Sequence, residues 1–189
     1  MLESAPAGKE TLGKSYVSQQ YEYNLSDSQS KILKFINQYP GIRYRELARQ
    51  TGLANGALTY HLNILERINY INKYRHDKTT RYYPADISSQ DIKVLSHLRV
   101  HSEKVIVQFI LYHDLCTFNE IVEHSRKAPS TISWHLRRLC EDGIVKVHHR
   151  EYNLYQIGGK ELVNQVLNLY KESFANKIVN NLIDIADEL

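Results

Sequence analysis

Apolar residues fall into short helical runs separated by turn signals. Leu58, Leu62 and Leu65 recur at i, i+4 and i+7 with His61 between them at i+3, so they share one stripe of a helix. Asn55, Gly56, Thr59, Tyr60 and Asn63 are left on the opposite, uncharged polar side. Upstream, Ser26 followed three residues later by Gln29 is a capping-box signal for a helix whose apolar face is Ile32, Leu33, Phe35 and Ile36 and which runs to about Gln38. Pro40-Gly41 forces a turn, and Tyr44, Leu47 and Ala48 mark a short second helix closing near Thr51-Gly52. After Asn69 the composition from Tyr70 to Arg75 becomes β-type, His76-Asp77-Lys78 makes a polar tip, and Arg81-Tyr82-Tyr83 returns before Pro84. Helix, helix-turn-helix and hairpin in that order predict a winged helix.

The pattern then repeats. His61 and His135 lie 135 − 61 = 74 residues apart, and at that offset Lys31 to Ile71 align without a gap on Val105 to Val145. Eight positions are identical, among them Ile32/Ile106, Glu46/Glu120, His61/His135 and Leu65/Leu139, and others keep their chemistry, as in Tyr44/Phe118 and Tyr60/Trp134. Two copies at so long a period predict two small domains on one plan rather than a solenoid. In the second copy Ser102 is expected to cap the first helix, and Pro129 opens the third, where its missing N–H costs nothing. Ser130, Ser133, Trp134 and Arg137 point outward, and Asp142-Gly143 ends the helix. The wing tip is His148-His149-Arg150, and aligning Tyr82 with Tyr155 makes this wing one residue shorter.

The expected fold class is mainly α with small β-hairpin wings, as two tandem winged-helix domains plus a long C-terminal helix. The predicted organisation is a flexible arm over 1–26, domain 1 over 27–87, a connecting helix over 88–101, domain 2 over 102–157 and the terminal helix over 158–189. Val163, Leu167, Tyr170, Phe174, Ile178, Leu182, Ile185 and Leu189 form one stripe on that last helix. Such a stripe must be buried, either as a homodimer interface, the reading preferred here, or against Ile92 and Leu95 of the connecting helix.

Charge separates the copies. The first has ten Lys and Arg against five Asp and Glu, an excess of five; the second has seven of each. Neutralisation of a polyanion is therefore expected to draw on the first copy. Arg43 and Arg45, at the start of the short helix, and Lys73, Arg75, His76, Lys78 and Arg81, on the wing, are the expected phosphate contacts, flanking a reading face of Asn55, Gly56, Thr59, Tyr60 and Asn63. In the second copy Ser130, Ser133, Trp134, Arg137, Arg138, His148, His149 and Arg150 are the candidates, with Trp134 meeting either DNA or a protein surface. His61 and His135 border the apolar stripe and are read as bracing imidazoles.

The two cysteines, Cys116 and Cys140, are too few for a disulfide framework, and with His113 and His124 they lack the paired spacing of structural zinc motifs. No phosphate-cradling glycine loop, His-Glu-x-x-His or nucleophile elbow is present, so neither an enzyme nor a cofactor or metal is expected. No stretch is long and apolar enough to span a bilayer, and a cytoplasmic protein is expected.

The run Glu46-Leu47-Ala48-Arg49-Gln50-Thr51-Gly52-Leu53-Ala54-Asn55-Gly56-Ala57-Leu58-Thr59-Tyr60-His61-Leu62 and the run Ala128-Pro129-Ser130-Thr131-Ile132-Ser133-Trp134-His135-Leu136 resemble the helix-turn-helix of ArsR-like and MarR-like winged-helix regulators. The tandem arrangement is similar to archaeal two-winged-helix transcription regulators. The resemblance covers roughly residues 27–157 and implies sequence-dependent binding to double-stranded DNA, with each third helix in the major groove and each wing against a neighbouring backbone or minor groove. With the terminal stripe read as a dimer interface, the expected protein is a homodimeric transcription regulator that excludes or recruits the basal transcription machinery. The Cys-x-Cys pair of metal-sensing relatives is missing. The alternative is a winged-helix protein-interaction scaffold or a chromatin architectural protein with little base preference.

Overall fold

Ser26 opens the first helix by the capping box its spacing to Gln29 predicts: the Ser26 hydroxyl accepts from the Gln29 amide while the Gln29 side chain accepts from the Ser26 amide at 2.9 Å. The computed structural model describes residues 24–76, 78–171 and 173–174, so most of the expected N-terminal arm lies outside the described residues. The first unit comprises α1 (Asp27–Gln38), β1 (Ile42–Arg43), α2 (Tyr44–Thr51), α3 (Asn55–Arg67), β2 (Ile71–His76) and β3 (Thr79–Pro84). After α4 (Ser89–Leu98), the second repeats the order with α5 (His101–His113), β4 (Cys116–Thr117), α6 (Phe118–Ser125), α7 (Pro129–Glu141), β5 (Val145–His149) and β6 (Asn153–Ile157), followed by α8 (Lys160–Leu169).

The two units superpose in sequence element by element. α1, β1, α2 and α3 each begin 74 residues before α5, β4, α6 and α7. Each unit carries a three-stranded antiparallel sheet in which the return strand is central, in the orders β1-β3-β2 and β4-β6-β5. Ile42 pairs with Tyr82 and Cys116 with Tyr155, which makes the second wing one residue shorter. Left-handed backbone recurs too: Asn69 (φ 57°) matches Gly143 (φ 73°) after the third helix. The shared Glu46 and Glu120 are caps, accepting from the Arg43 amide at 3.1 Å and the Thr117 amide at 2.7 Å.

The cores divide unevenly. Ile32, Ile36, Leu47, Leu58, Leu62 and Leu65 close the first around α1, α2 and α3. The second gathers Ile106, Ile110, Ile121, Ile132, Leu136 and Leu139, and adds Ile92, Leu95 and Leu98 of α4 with Val163 and Val166 of α8. The connecting helix is thus part of the second unit's core, and Tyr83 on β3 reaches into it from the first. Arg99, just past α4, ties the assembly together: its Nε donates to the Pro40 carbonyl at 2.9 Å and a terminal nitrogen to the Ser173 carbonyl at 3.1 Å, with the guanidinium 4.8 Å over the Phe174 ring. Burial lowers its pKa to about 10, with the Arg81 charge adding to the effect.

Two expectations are corrected here. Ser102 does not cap α5, which begins at His101 with Val100 in the capping position; residue 103 turns inward instead. The terminal stripe is not free for a partner over its described part. Val163 and Phe174 are buried and Leu167 and Tyr170 pack on the second core, because α8 folds back on α4 and covers the apolar face the connecting helix presents. Ile178, Leu182, Ile185 and Leu189 lie outside the described residues.

Candidate nucleic-acid interface

The third helix of the first unit turns Leu58, Leu62 and Leu65 inward, so Asn55, Gly56, Thr59, Tyr60 and Asn63 are all exposed, Tyr60 by 63%. Tyr44, at the start of α2, fixes the approach of the two helices: its hydroxyl donates to the Asn55 carbonyl at 2.8 Å and lies 3.0 Å from the Thr59 hydroxyl. Tyr44, Arg45, Ala48, Arg49 and Asn55 line an open groove of about 490 Å³ between α2 and α3. Arg45 and Arg49 are exposed and one turn apart, so the groove has a cationic flank beside an uncharged hydrogen-bonding face. The sequence reading missed Arg49, although its spacing of four from Arg45 places both on one side of α2. Arg43 is exposed just ahead of that helix.

On the wing, Lys73, Arg75 and Lys78 are exposed, Lys73 lying 3.6 Å from Glu66. The backbone of His76 ends β2, opposite Thr79. Arg81 departs from the expected phosphate role. It is 1% exposed and donates to the Gly41 carbonyl at 2.8 Å, because on the central strand of a three-stranded sheet its side chain points into the protein. Burial and the neighbouring Arg43 charge lower its pKa.

In the second unit Ser130, Ser133 and Arg137 are exposed, with Arg137 3.9 Å from Glu141. Trp134 is 39% exposed and lies under the Arg138 guanidinium at 4.5 Å. Arg138 itself differs from expectation. It turns back to Glu103 at 3.3 Å with its side chain 15% exposed, since a fully buried carboxylate attracts the nearest guanidinium. His148 bonds Gln156 across the wing at 2.9 Å and is half-buried, whereas His149, bonded to Asn153 at 2.8 Å, and Arg150 are exposed. The positions matching Arg43, Arg45 and Arg49 hold Thr117, Asn119 and Glu123, so the flank of α6 carries no cation.

The equivalent histidines diverge. His135 Nδ1 lies 3.0 Å from Glu103 Oε1, whereas buried His61 Nδ1 has no hydrogen-bond partner. The cause is the residue on the first helix: Glu103 occupies the place of Gln29, whose side chain is engaged in the cap of α1. Among the described residues no group of three or more His, Cys, Asp or Glu is arranged to hold a metal, and no helix is long and apolar enough to cross a membrane.

Comparison with known proteins follows the same division. Residues 26–95 match a family model described as an N-terminal HTH domain, and residues 106–147 match the bacterial regulatory protein, arsR family. The chain is 28% identical over 155 residues to the HTH-type transcriptional regulator MJ1398 of Methanocaldococcus jannaschii, an alignment covering 79% of this chain and 34% of that protein. It therefore spans about a third of that relative's length. Among solved structures, HlyU from Vibrio cholerae is 18% identical with a TM-score of 0.39, covering 44% of this chain and 90% of that one; its reduced form has the same identity and TM-score. The chain carries two tandem helix-turn-helix domains, the second of the arsR-family type, and is homologous to an archaeal HTH-type transcriptional regulator.

Proposed function

We propose that the chain is a DNA-binding transcription regulator that reads double-stranded DNA mainly through its first unit. The observation carrying this reading is the exposed, uncharged face of α3 beside the cations of α2 and the β2–β3 wing. Asn55, Thr59, Tyr60 and Asn63 offer donors, acceptors and a ring edge to base pairs in the major groove, while Arg43, Arg45, Arg49, Lys73, Arg75 and Lys78 meet phosphates on either side. The second unit adds Ser130, Ser133, Trp134 and Arg137 with no surplus charge, which suits a smaller contribution. In this reading the protein acts in the cytoplasm, occupying promoter DNA and excluding or recruiting the basal machinery.

Homodimerisation belongs to the same proposal, though Val163 and Phe174 are covered within the chain, so pairing falls to other surfaces. Selection of bound duplexes from a random pool tests both parts. The expected result is an enriched motif whose selection Asn63→Ala relaxes, and a palindrome in it reports two copies. Equal binding to all duplexes indicates an architectural protein, and no binding a scaffold; either defeats the proposal.

A further inference from the structure

Beneath α7 lies a chain of ionisable groups that DNA contact does not explain. Glu103, in the first turn of α5, is fully buried. Its Oε2 is 2.7 Å from His97 Nδ1 on α4, and its Oε1 meets His135 Nδ1 at 3.0 Å and Arg138 at 3.3 Å, both on α7. The other nitrogen of His97, itself fully buried, is 2.8 Å from Asp142 Oδ2 at the end of α7. Lys93, one turn earlier on α4, is 3.5 Å from the remaining Asp142 oxygen, and the charge of Arg81 on β3 is felt at Glu103. Burial works to raise the Asp142 pKa, but its bond to His97 and the charges of His97 and Lys93 outweigh this, so the carboxyl is held below its ordinary value.

Both ring nitrogens of His97 thus face carboxylate oxygens. A carboxylate can only accept, so each nitrogen has to donate, and a neutral imidazole has a single N–H. The array therefore holds one proton more than a neutral ring between two carboxylates, whichever heavy atom carries it. Its loss sets a lone pair against a lone pair at one end, inside a buried site where an unmade hydrogen bond is expensive. We propose that His97, Glu103 and Asp142 form a proton-operated latch, closed when protonated, that holds the DNA-reading helix α7 against α4 and α5 and lets it loosen when the proton leaves. The latch therefore contributes at lower pH and is lost as pH rises. The first unit has no counterpart, since Gln29 and Ile68 stand where Glu103 and Asp142 do.

Trp134 is the single tryptophan of the chain, with its ring 4.8 Å from that of His135 and 4.5 Å from the Arg138 guanidinium, so its emission reports on this site without a label. The test is a fluorescence titration of the full chain without DNA, from about pH 6 to about pH 9 on either side of the ordinary histidine range, paired with hydrogen exchange of the α7 amides. The wild type should show a transition accompanied by faster exchange in α7 at the alkaline end. His97→Gln and Glu103→Gln should each abolish it, while an unchanged far-UV circular dichroism spectrum shows that each variant is folded. A flat wild-type titration overturns the latch, as does an unchanged midpoint in His97→Gln. The inference rests on α7 being a DNA-reading helix only in its last readout: affinity for a selected duplex should fall about tenfold over the same interval in the wild type and not in the variants. A latch that titrates in fluorescence while duplex affinity stays constant removes α7 from the DNA interface and leaves the latch standing.

Discussion

The two units share a backbone plan and differ in what they place around it. On the α2 flank the first has Arg45 and Arg49 where the second has Asn119 and Glu123, and under the third helix the first has Gln29 where the second has buried Glu103. At these positions cations have gone to the outside of one unit and a carboxylate to the inside of the other. Among the identical positions Ile32/Ile106, Leu62/Leu136 and Leu65/Leu139 are core and Glu46/Glu120 are caps, so what these pairs share is the scaffold. Chemistry is carried where they disagree.

The largest expected effect probes the cores. Ile32 and Ile106 are equivalent and fully buried, so Ile32→Ala and Ile106→Ala should each cost about 2–5 kcal/mol in denaturant unfolding. They should part company in hydrogen exchange, because α4 and α8 belong to the core around Ile106: only Ile106→Ala should speed exchange in α8. Equal loosening of α8 by both would mean that the cores are a single cooperative body.

Next in size is the charge asymmetry. Arg45→Ala with Arg49→Ala should weaken duplex binding about thirtyfold at moderate salt and lower the salt slope by about two, whereas Asn119→Ala with Glu123→Ala should lower neither. Similar losses from both pairs would place the units on DNA as equals. Arg81→Ala sharpens the contrast, since a buried arginine bonded to the Gly41 carbonyl should alter stability and leave the salt slope unchanged.

The smallest effect concerns Tyr83, which joins the two units. Its buried hydroxyl has no hydrogen-bond partner, and burial raises its pKa to about 12. Tyr83→Phe is therefore expected to be neutral or to stabilise by up to about 1 kcal/mol, measured by thermal or denaturant unfolding. A marked loss would reveal a role for that oxygen at the junction.

Much of this fold was legible because its signals are local. The Ser26–Gln29 box, the Leu58–Leu62–Leu65 stripe, the Pro40-Gly41 turn and Pro129 at a helix start act within a few residues, and the 74-residue offset carried each reading from one copy to the other. The errors came where a long-range partner decides. Arg81 looked like part of a basic rim until the short β1 strand placed it on a central strand, and Arg138 looked like a base or phosphate contact until Glu103 proved to lie beneath it. For the terminal stripe the sequence leaves two burial partners open, a second copy or Ile92 and Leu95 of the connecting helix, and over its described part α8 takes the second. The His97–Glu103–Asp142 chain joins residues 45 apart across three elements, and no spacing rule announces it.

Arg99 reaches from the connector to Pro40 in one direction and to Ser173 in the other, so a single side chain spans the turn of the first half, the hinge and the tail. A joint fastened at three points has little play. If both halves touch one duplex, as proposed, inserting one base pair between the contacted stretches turns one of them about 34° around the duplex relative to the other. A loosely tethered pair of readers would absorb that rotation; this one must strain itself or the DNA, making the distance between the contacted stretches as much a part of the target as the bases within them.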